Sequence, residues 1–441
     1  MKSQEFVVTI TELNERGYGV ARLDDGTSVC VLNALPGEEV KVESFKRKNK
    51  VLFARAIEIL TPSPYRIPAR EEHFLASSPW QIMQFDYENE VKAEMIVDFF
   101  AEEHIVLEKP EIEHDKREFG YRNKVEFGFY SHNETNQLDF AYFKREGNKG
   151  KYPLTSCALM PDDVNNVALS ILTMLRELGA NAKQLKSLIL RYSFSQKTVV
   201  AALFLKDDQL VLPENILGKI VTGSCVGFHV YYSDYRSPAS IVTNTLFSSG
   251  SAELEEEILG LTFHYSLNGF FQVNPPLFEK AAQDIVDIIN KKPYVEGKKV
   301  IDLYAGVGTI GLCCAAKRRS VRGVEIFPGS RNLALKNARL NDLLAYYSFT
   351  EASAEKSLEY ITSEDILIVD PPRVGLHADV IKRILEVQPE LVIYLSCNPK
   401  TQAENIALLA DVYDITSNKG YNFYPHTPHC EHLVVLEKKQ K

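Results

Sequence analysis

The spacing of apolar residues changes twice along this 441-residue chain. In residues 1–60, short apolar runs recur at regular intervals and are separated by Gly and Pro-Gly turns. This pattern predicts the strands of a small β-barrel. Pro62, Pro64 and Pro68 follow closely, and they predict a linker because proline interrupts both helices and strands.

The middle of the chain mixes helical and strand patterns in no repeating order. A helical apolar period covers residues 85–105, and residues 121–130 alternate apolar and polar side chains as a half-buried strand does. We therefore predict an α+β domain, together with the linker, over residues 61–255.

From residue 256 onward, strand patterns alternate with helical ones. Apolar strands are predicted at 299–303, 320–325, 365–370 and 391–396. Strands that alternate with helices indicate a parallel, doubly wound sheet, whose ligands bind at the carboxyl ends of the strands. The predicted fold class is α/β, with a Rossmann-like domain over residues 256–441 after the barrel and the α+β domain.

The composition indicates a soluble protein of the cytoplasm. No apolar run approaches the roughly 20 residues that cross a bilayer, and the first residues lack the pattern of a secretion signal. The seven cysteines are scattered without a C-x-x-C pair, so we expect reduced thiols and no metal site.

The net charge of −9 by itself argues mildly against a nucleic-acid partner, but a local basic stretch can still bind one. Basic residues crowd residues 41–55, and four of them stand almost in a row: Lys46, Arg47, Lys48 and Lys50. Such a stretch is typical of a phosphate-binding surface. The solvated face of an edge strand is the alternative.

A glycine turn follows the first strand of the C-terminal domain. Gly306, Gly308 and Gly311, with Glu325 further on, also fit the dinucleotide-binding pattern G-x-G-x-x-G. Asp302 closes the strand just before the glycines, where its carboxylate would repel a pyrophosphate but would suit the ammonium and sulfonium groups of S-adenosylmethionine. We therefore predict S-adenosylmethionine as the cofactor. Glu325 can accept hydrogen bonds from ribose hydroxyls with either ligand.

The sequence DPPR at residues 370–373 ends a later strand, and its two prolines fix a rigid loop there. Such a loop suits the holding of a substrate base. The acidic-Pro-Pro loop of enzymes that methylate exocyclic amines is an alternative, although an aromatic residue usually follows the prolines there and Arg373 does so here. A simple strand-ending turn is a further alternative.

Cys397 directly follows the strand predicted at 391–396. A cysteine at this position favours methylation of a carbon atom over methylation of an amine. The C5 atom of uracil becomes nucleophilic only after a thiolate adds to C6, so a C5-methyltransferase requires a cysteine. A base must later remove the C5 proton, and Glu431 is the best candidate, with His426, His429 and His432 as competitors. The spacing of these histidines is not that of a zinc site.

Taken together, these residues resemble the RNA uracil-5-methyltransferases, which make 5-methyluridine in ribosomal and transfer RNA. The resemblance covers nearly the whole chain and lies in NGFFQVNP (268–275), DLYAGVG (302–308), DPPRVG (370–375), SCNP (396–399) and HTPHCE (426–431). It implies that Cys397 is the nucleophile and Glu431 the base. The residues that it implies for S-adenosylmethionine are Gln272, Tyr304, Glu325 and Asp370.

The N-terminal region resembles the TRAM module, an OB-like RNA-binding barrel of family members that modify ribosomal RNA. The resemblance therefore implies 23S ribosomal RNA as the substrate, with transfer RNA as the alternative. We expect the enzyme to be a monomer. Lys46, Arg47, Lys48 and Lys50 would contact phosphates. In the middle domain, the sequence FGYRNK at 119–124 resembles an RNA-facing segment, which implies Arg122 and Lys124 as further contacts.

Two departures from the family pattern carry expectations. Ribosomal-RNA members commonly hold an iron-sulfur cluster, but Glu71, Ser77 and Trp80 stand where thiolates are expected, and only Cys157 remains. We therefore expect no cluster, with Trp80 packing the space. Ser353 stands where the family often has an aspartate near the adenine amine.

Two functions other than C5 methylation remain as alternatives. The protein could methylate an exocyclic amine, or it could be a non-catalytic RNA-binding assembly factor.

Overall fold

In the computed structural model, the N-terminal apolar runs form one six-stranded sheet. The structure describes residues 3–132, 134–146, 150–207, 210, 212–234, 236–237 and 239–440. A two-residue gap separates the first two strands, so one continuous segment pairs with β5 at its start and with β3 at its end, which closes the sheet into a barrel. The strands, in spatial order β1-β5-β6-β4-β3-β2, are β1 (Glu5–Thr9), β2 (Glu12–Leu13), β3 (Gly19–Arg22), β4 (Ser28–Leu32), β5 (Glu39–Lys48) and β6 (Val51–Thr61).

The barrel encloses a small apolar core. Alternate residues point inward along each strand, as Val29 and Val31 do on β4 and Val40 and Val42 do on β5. The chain then leaves the barrel through three elements before the next sheet begins. They are α1 (Phe74–Ser77), α2 (Phe85–Glu102) and β7 (Ile112–Glu113).

A seven-stranded sheet forms the middle of the molecule, and α3 (Asp162–Glu177) packs on one of its faces through a shared apolar core. Its strands, in spatial order β10-β9-β8-β11-β12-β13-β14, are β8 (Lys124–Ser131), β9 (Leu138–Phe143), β10 (Lys151–Leu154), β11 (Leu185–Ser193), β12 (Thr198–Leu205), β13 (Cys225–Tyr232) and β14 (Asn244–Gly250). The short helix α4 (Glu214–Leu217) and a 3-10 turn at Gly218–Ile220 precede β13. A hairpin of β15 (Glu253–Ile258) and β16 (Leu261–Ser266) follows.

An eight-stranded sheet carries the C-terminal region. Its strands, beside β7, are β17 (Val300–Leu303), β18 (Val321–Glu325), β19 (Tyr347–Glu351), β20 (Ile366–Val369), β21 (Leu391–Ser396), β22 (Tyr413–Tyr421) and β23 (Glu431–Lys438). The helices are α5 (Pro275–Asn290), α6 (Thr309–Ala315), α7 (Ser330–Leu340), α8 (Ala378–Val387) and α9 (Pro399–Leu409), with 3-10 turns at Pro293–Val295, Ala354–Lys356 and Leu358–Tyr360.

The order of these strands, β19-β18-β17-β20-β21-β23-β22-β7, fixes where a ligand can bind. The first five are parallel, and β23 lies antiparallel between β21 and β22. The chain runs outward from β17 to β19 and then resumes at β20 on the other side of β17. Ligands of doubly wound sheets bind at such a switch point, so the carboxyl ends of β17 and β20 mark the site.

Both faces of this sheet are covered, as the apolar strands require. Ile366 and Ile368 of β20 face a core with α5, α6 and α7, whereas Leu367 and Val369 face one with α2, α8 and α9. The sequence places α2 and β7 within the range 61–255, and the structure packs them onto the C-terminal sheet, where β7 pairs with β22. The predicted fold class is confirmed, while the domain limits at 60 and 255 stay predictions.

Candidate active site

The predicted site residues meet at the carboxyl edge of the C-terminal sheet. Tyr304 follows β17, Glu325 ends β18, Asp370 follows β20 and Cys397 follows β21. These four strands are neighbours or near neighbours in the sheet, so side chains that are far apart in sequence face one crevice. Gln272 reaches the same crevice, where its Nε2 donates a hydrogen bond of 3.2 Å to Asp370 Oδ2.

The glycine turn forms a tight cradle after β17. Gly306 and Gly308 have φ angles of 56° and 85°, a left-handed conformation that glycine adopts without strain. The Gly306 amide donates to Glu325 Oε2 at 3.2 Å, and the Gly311 amide donates to Asp302 Oδ2 at 3.0 Å. Main-chain amides therefore fix both carboxylates at the floor of the crevice.

The crevice is open to solvent and lies between the glycine turn after β17 and the loop that carries Gln272. Phe270 stands at its mouth with 63% of its surface exposed, while Phe271 is buried. The remaining lining residues are Gln272, Phe278, Asp302, Tyr304, Ala305, Gly306, Val307, Thr309, Ile310 and Asp370. Aromatic and apolar walls with a few polar groups are typical of a cofactor pocket.

Carboxyl groups dominate the electrostatics of this pocket. Burial raises the pKa of Asp302 to about 8 against the hydrogen bond from Gly311, and Asp370 and Glu325 raise it further. Burial also raises the pKa of Asp370 to about 7, while its hydrogen bond from Gln272 acts in the opposite direction. A bound cation would lower all of these values, because it favours the ionised carboxylates. The residues therefore fit S-adenosylmethionine, which carries ammonium and sulfonium charges.

Replacing Gly308 by alanine is expected to destabilise the protein by roughly 3 kcal/mol. The φ of 85° costs about 1 kcal/mol for any L-residue. In addition, a Cβ at this position would lie 2.5 Å from Tyr347 Oη, and relieving such an overlap costs about 1–3 kcal/mol. Urea unfolding of the purified variant measures the change.

Gly329 provides the matched control for this substitution. It precedes α7 as Gly308 precedes α6, with a φ of 86°, but a Cβ there meets nothing within 4 Å. Gly329→Ala should therefore lose only the backbone contribution, about 1 kcal/mol. Equal losses in the two variants would show that the contact with Tyr347 carries no weight.

Cys397 and Glu431 lie near each other at the end of the β21–β23 pair. Ser396 of β21 pairs with His432 of β23, Cys397 follows Ser396 directly, and Glu431 directly precedes His432. Burial raises the pKa of the Cys397 thiol to about 12, and Glu431 and Asp370 add to the shift. The Arg373 guanidinium opposes them, so it is the group that favours the thiolate.

Glu431 is a buried carboxyl with one free oxygen. Its Oε1 accepts a hydrogen bond of 3.2 Å from the Tyr424 hydroxyl, and its Oε2 has no partner among the described residues. Burial raises the pKa of Glu431 well above its usual range, Asp370 raises it further, and Tyr424 and Arg373 oppose the shift. An unpartnered oxygen beside the thiol is what a general base needs.

The segment before Glu431 is held by other parts of the chain. The Trp80 amide donates to the His426 carbonyl at 3.0 Å, and the Tyr121 hydroxyl donates to the Pro425 carbonyl at 3.0 Å. Glu88 of α2 accepts from the His426 amide and is paired with the buried Lys92, whose ammonium lies 2.6 Å away. The linker, α2 and the central domain thus all position this segment.

The three competing histidines have different surroundings. His432 Nδ1 lies 2.7 Å from Gln402 Oε1, its Nε2 lies 3.2 Å from Asn418 Oδ1, and burial lowers its pKa to about 3. His426 lies between the carboxylates of Glu88 and Glu118. Burial lowers the pKa of His429 to about 4. Of the three, His432 is the one whose two ring nitrogens are both held by neighbouring amide groups.

The predicted RNA contacts lie in two places. Lys46, Arg47, Lys48 and Lys50 are exposed at the end of β5 and in the turn to β6, outside the pocket. Burial raises the pKa of Tyr424, and the charge of Arg122 opposes this rise. Arg122 therefore lies near the segment before Glu431. Burial, and then Arg191, lower the pKa of Lys124 to about 8.

Sequence reasoning assigned no role to Arg191, which holds the loop before Gln272. Its guanidinium donates to the carbonyls of Ser266 at 2.9 Å, Leu267 at 3.3 Å, Gly269, and Phe271 at 3.2 Å. Arg191 lies on β11, about 75 residues before this loop, so no local sequence motif indicates the contact. Arg373 and Tyr424 were also given no role. Arg373 opposes the rise in the pKa of both Cys397 and Glu431, and Tyr424 opposes that of Glu431.

Some of the residues at the positions expected for an iron-sulfur cluster lie close together in the structure. Trp80 is buried with Leu35, Ile82, Met83 and Val91. Glu71 and Cys157, in contrast, lie close together with His73. Ser353 follows β19 and is buried, and the amide of the preceding Ala352 donates to the Glu325 carbonyl at 3.0 Å.

The fold and the pocket define a class I methyltransferase. The model of the tRNA (Uracil-5-)-methyltransferase family matches residues 84–439 and that of the TRAM domain residues 1–57, so the chain belongs to the tRNA (uracil-5-)-methyltransferase family. It is 28% identical to an uncharacterized RNA methyltransferase of Caldanaerobacter subterraneus subsp. tengcongensis and 27% identical to one of Clostridium tetani. The first alignment covers 99% of each chain, and the second covers 99% of this chain and 98% of the relative.

A solved structure gives the same fold over the whole chain. The Pyrococcus abyssi tRNA (uracil-54, C5)-methyltransferase in complex with S-adenosyl-L-homocysteine superposes with a TM-score of 0.79 at 23% identity, covering 98% of this chain and 100% of the other.

These findings confirm the predicted enzyme class and cofactor: the protein is an RNA (uracil-5-)-methyltransferase that uses S-adenosylmethionine. Its RNA partner follows from the family and the TRAM domain. Among the helices described, none has the length and apolar character to span a membrane.

Proposed function

We propose that the enzyme methylates C5 of a uridine in RNA through a covalent adduct with Cys397 and with Glu431 as the base. The placement of the thiol near the free carboxyl oxygen, at the end of the β21–β23 pair, carries this proposal. Methylation of an exocyclic amine would use neither group. S-adenosylmethionine supplies an electrophilic methyl group when bound, and Asp302, Glu325, Asp370, Gln272, Tyr304 and the glycine cradle at Gly306 and Gly308 would hold it.

The roles of the two side chains follow from the electron balance. The Cys397 sulfur forms a bond to C6 as the C5–C6 double bond opens, and the resulting enolate makes C5 able to accept the methyl group. Glu431 then removes the C5 proton, and the electron pair restores the double bond while the sulfur leaves. The net reaction replaces the C5 hydrogen by methyl and releases one proton.

Within RNA, we propose 23S ribosomal RNA as the substrate because the N-terminal barrel presents a basic surface for structured RNA. Transfer RNA is the second candidate. The Pyrococcus abyssi protein is a tRNA methyltransferase by name and is similar over 98% of this chain, so a chain of this architecture also serves transfer RNA. A monomer in the cytoplasm completes the proposal.

The test offers purified enzyme and S-adenosylmethionine to unmodified 23S ribosomal RNA and transfer RNA in separate reactions, followed by nuclease digestion and mass spectrometry. We expect 5-methyluridine in the ribosomal RNA. Its formation only in transfer RNA would reverse the substrate assignment, and an N-methylated base would overturn the proposed chemistry.

The pH dependence of kcat is expected to report Glu431, because the base acts after methyl transfer, in the release of the product. The base acts in its ionised form, and its raised pKa means that activity is lost as pH falls through a range well above that of an exposed glutamate. Tyr424→Phe removes the hydrogen bond that favours the ionised form, so the acid limb should move to higher pH by up to about one unit. An unchanged or lower acid limb in this variant would contradict the assignment.

A further inference from the structure

Glu71, His73 and Cys157 form a group of metal-ligating side chains outside the catalytic pocket. One donor atom from each lies within 4.8 Å of the other two. Glu71 and His73 precede α1, whereas Cys157 follows β10, so the group joins the linker to the central domain. The sequence predicts no metal site, because its cysteines form no C-x-x-C pair and Cys157 is more than 80 residues away from Glu71 and His73.

The imidazole of His73 is the observation that points to a ligand. The side chain belongs to a residue that is only 8% exposed, and its Nε2 is enclosed and makes no hydrogen bond to the described residues. Glu71 Oε1 lies 3.3 Å away, at ion-pair distance but without hydrogen-bond geometry, and against the effect of burial Cys157 and Glu71 together raise the pKa of His73 to about 9. A buried ring nitrogen without a hydrogen bond is costly, and a cation between these side chains would remove that cost.

The surroundings hold the other two donors in place. Glu71 Oε1 accepts from the Ala158 amide at 2.6 Å, and Oε2 accepts from Gln81 Nε2 at 3.0 Å. The amide of Cys157 donates to Asn165 Oδ1 at 2.9 Å, and the Asn165 amide nitrogen donates back to the Cys157 carbonyl at 3.1 Å. Metal ligands are oriented by such outer contacts, and here they fix the carboxylate and the backbone that carries the thiol.

We propose that Glu71, His73 and Cys157 bind one divalent zinc-like ion that ties the linker to the central domain. Thiolate sulfur, imidazole nitrogen and carboxylate oxygen together suit Zn²⁺, and three protein donors leave a position for water. Binding replaces the thiol proton, which is released to solvent, so affinity should rise with pH. The alternative is an ion pair between protonated His73 and Glu71, which retains no metal.

The role of this ion is structural. The linker that carries Glu71 and His73 continues to Trp80, whose amide binds the His426 carbonyl in the catalytic segment. An ion that binds only the folded chain raises the unfolding temperature by mass action. Zinc should therefore stabilise the full-length protein.

The experiment loads full-length protein with Zn²⁺, removes free metal by desalting, and measures bound zinc and the unfolding temperature. The variants are Cys157→Ser and His73→Gln, each checked for native circular dichroism. Cys225→Ser is the matched control, because Cys225 is also a buried thiol of the central domain but lies outside the group.

We expect the wild type and Cys225→Ser to retain about one equivalent of zinc, and zinc to raise their unfolding temperature. Cys157→Ser and His73→Gln should lose both effects. Should Cys157→Ser fail to fold, His73→Gln decides alone. The proposal is overturned if the folded variants retain as much zinc as the wild type, or if the wild type retains none.

Discussion

Replacing Cys397 by alanine is expected to reduce turnover by at least about 10³-fold and to abolish covalent enzyme–RNA adducts at the same time. Without the sulfur, C5 of uracil stays unreactive, so no other group can compensate. Methyl incorporation into RNA measures turnover, and denaturing gel electrophoresis of enzyme with RNA detects the adduct.

Cys225→Ala serves as the control, since this buried thiol lies on β13, away from the pocket. It should keep wild-type turnover per folded molecule. Appreciable turnover by Cys397→Ala would remove the nucleophile from the proposed mechanism and leave the thiol without a chemical role.

Replacing Glu431 by glutamine has a different expected signature. Sulfur addition and methylation need no base at C5, whereas release of the product does, so the variant should accumulate a methylated protein–RNA adduct while turnover falls by about 10²–10⁴-fold. Mass spectrometry of the gel-purified adduct establishes whether the trapped pyrimidine already carries the methyl group.

Glu437→Gln is the matched control on the same strand. Glu437 lies at the far end of β23, where it is paired with Lys292 and Tyr294 near the surface. Its replacement should leave product release unchanged. If Glu431→Gln lost turnover without trapping an adduct, the carboxyl group would act before methylation and the role of base would pass to another residue.

The sequence predicts well those parts of the site that follow single strands. Asp302, Asp370 and Cys397 each stand beside an apolar run, and carboxyl ends of parallel strands meet at one edge of a sheet. The alternation of strands and helices is therefore enough to bring these side chains together. The barrel is also predicted correctly, because its short runs and turns are local patterns.

Pairings between distant segments could not be predicted in this way. Neither β22 nor β23 was predicted, and the antiparallel pairing of Ser396 with His432, which brings Glu431 near Cys397, depends on both β21 and β23. The carbonyl contacts of Arg191 depend on how two sheets pack. The group formed by Glu71, His73 and Cys157 likewise appears only once the linker has folded onto the central domain.

The anchoring of the segment before Glu431 limits how this enzyme can be divided or recombined. Trp80, Tyr121 and Glu88 all bind its backbone, and all three lie in the N-terminal half. A truncated fragment that begins near residue 256 would keep the cofactor crevice. It would lose the three contacts that hold the segment before Glu431. Chimeras between homologues would need both halves of these contacts from one parent, so the two halves are expected to evolve as a unit.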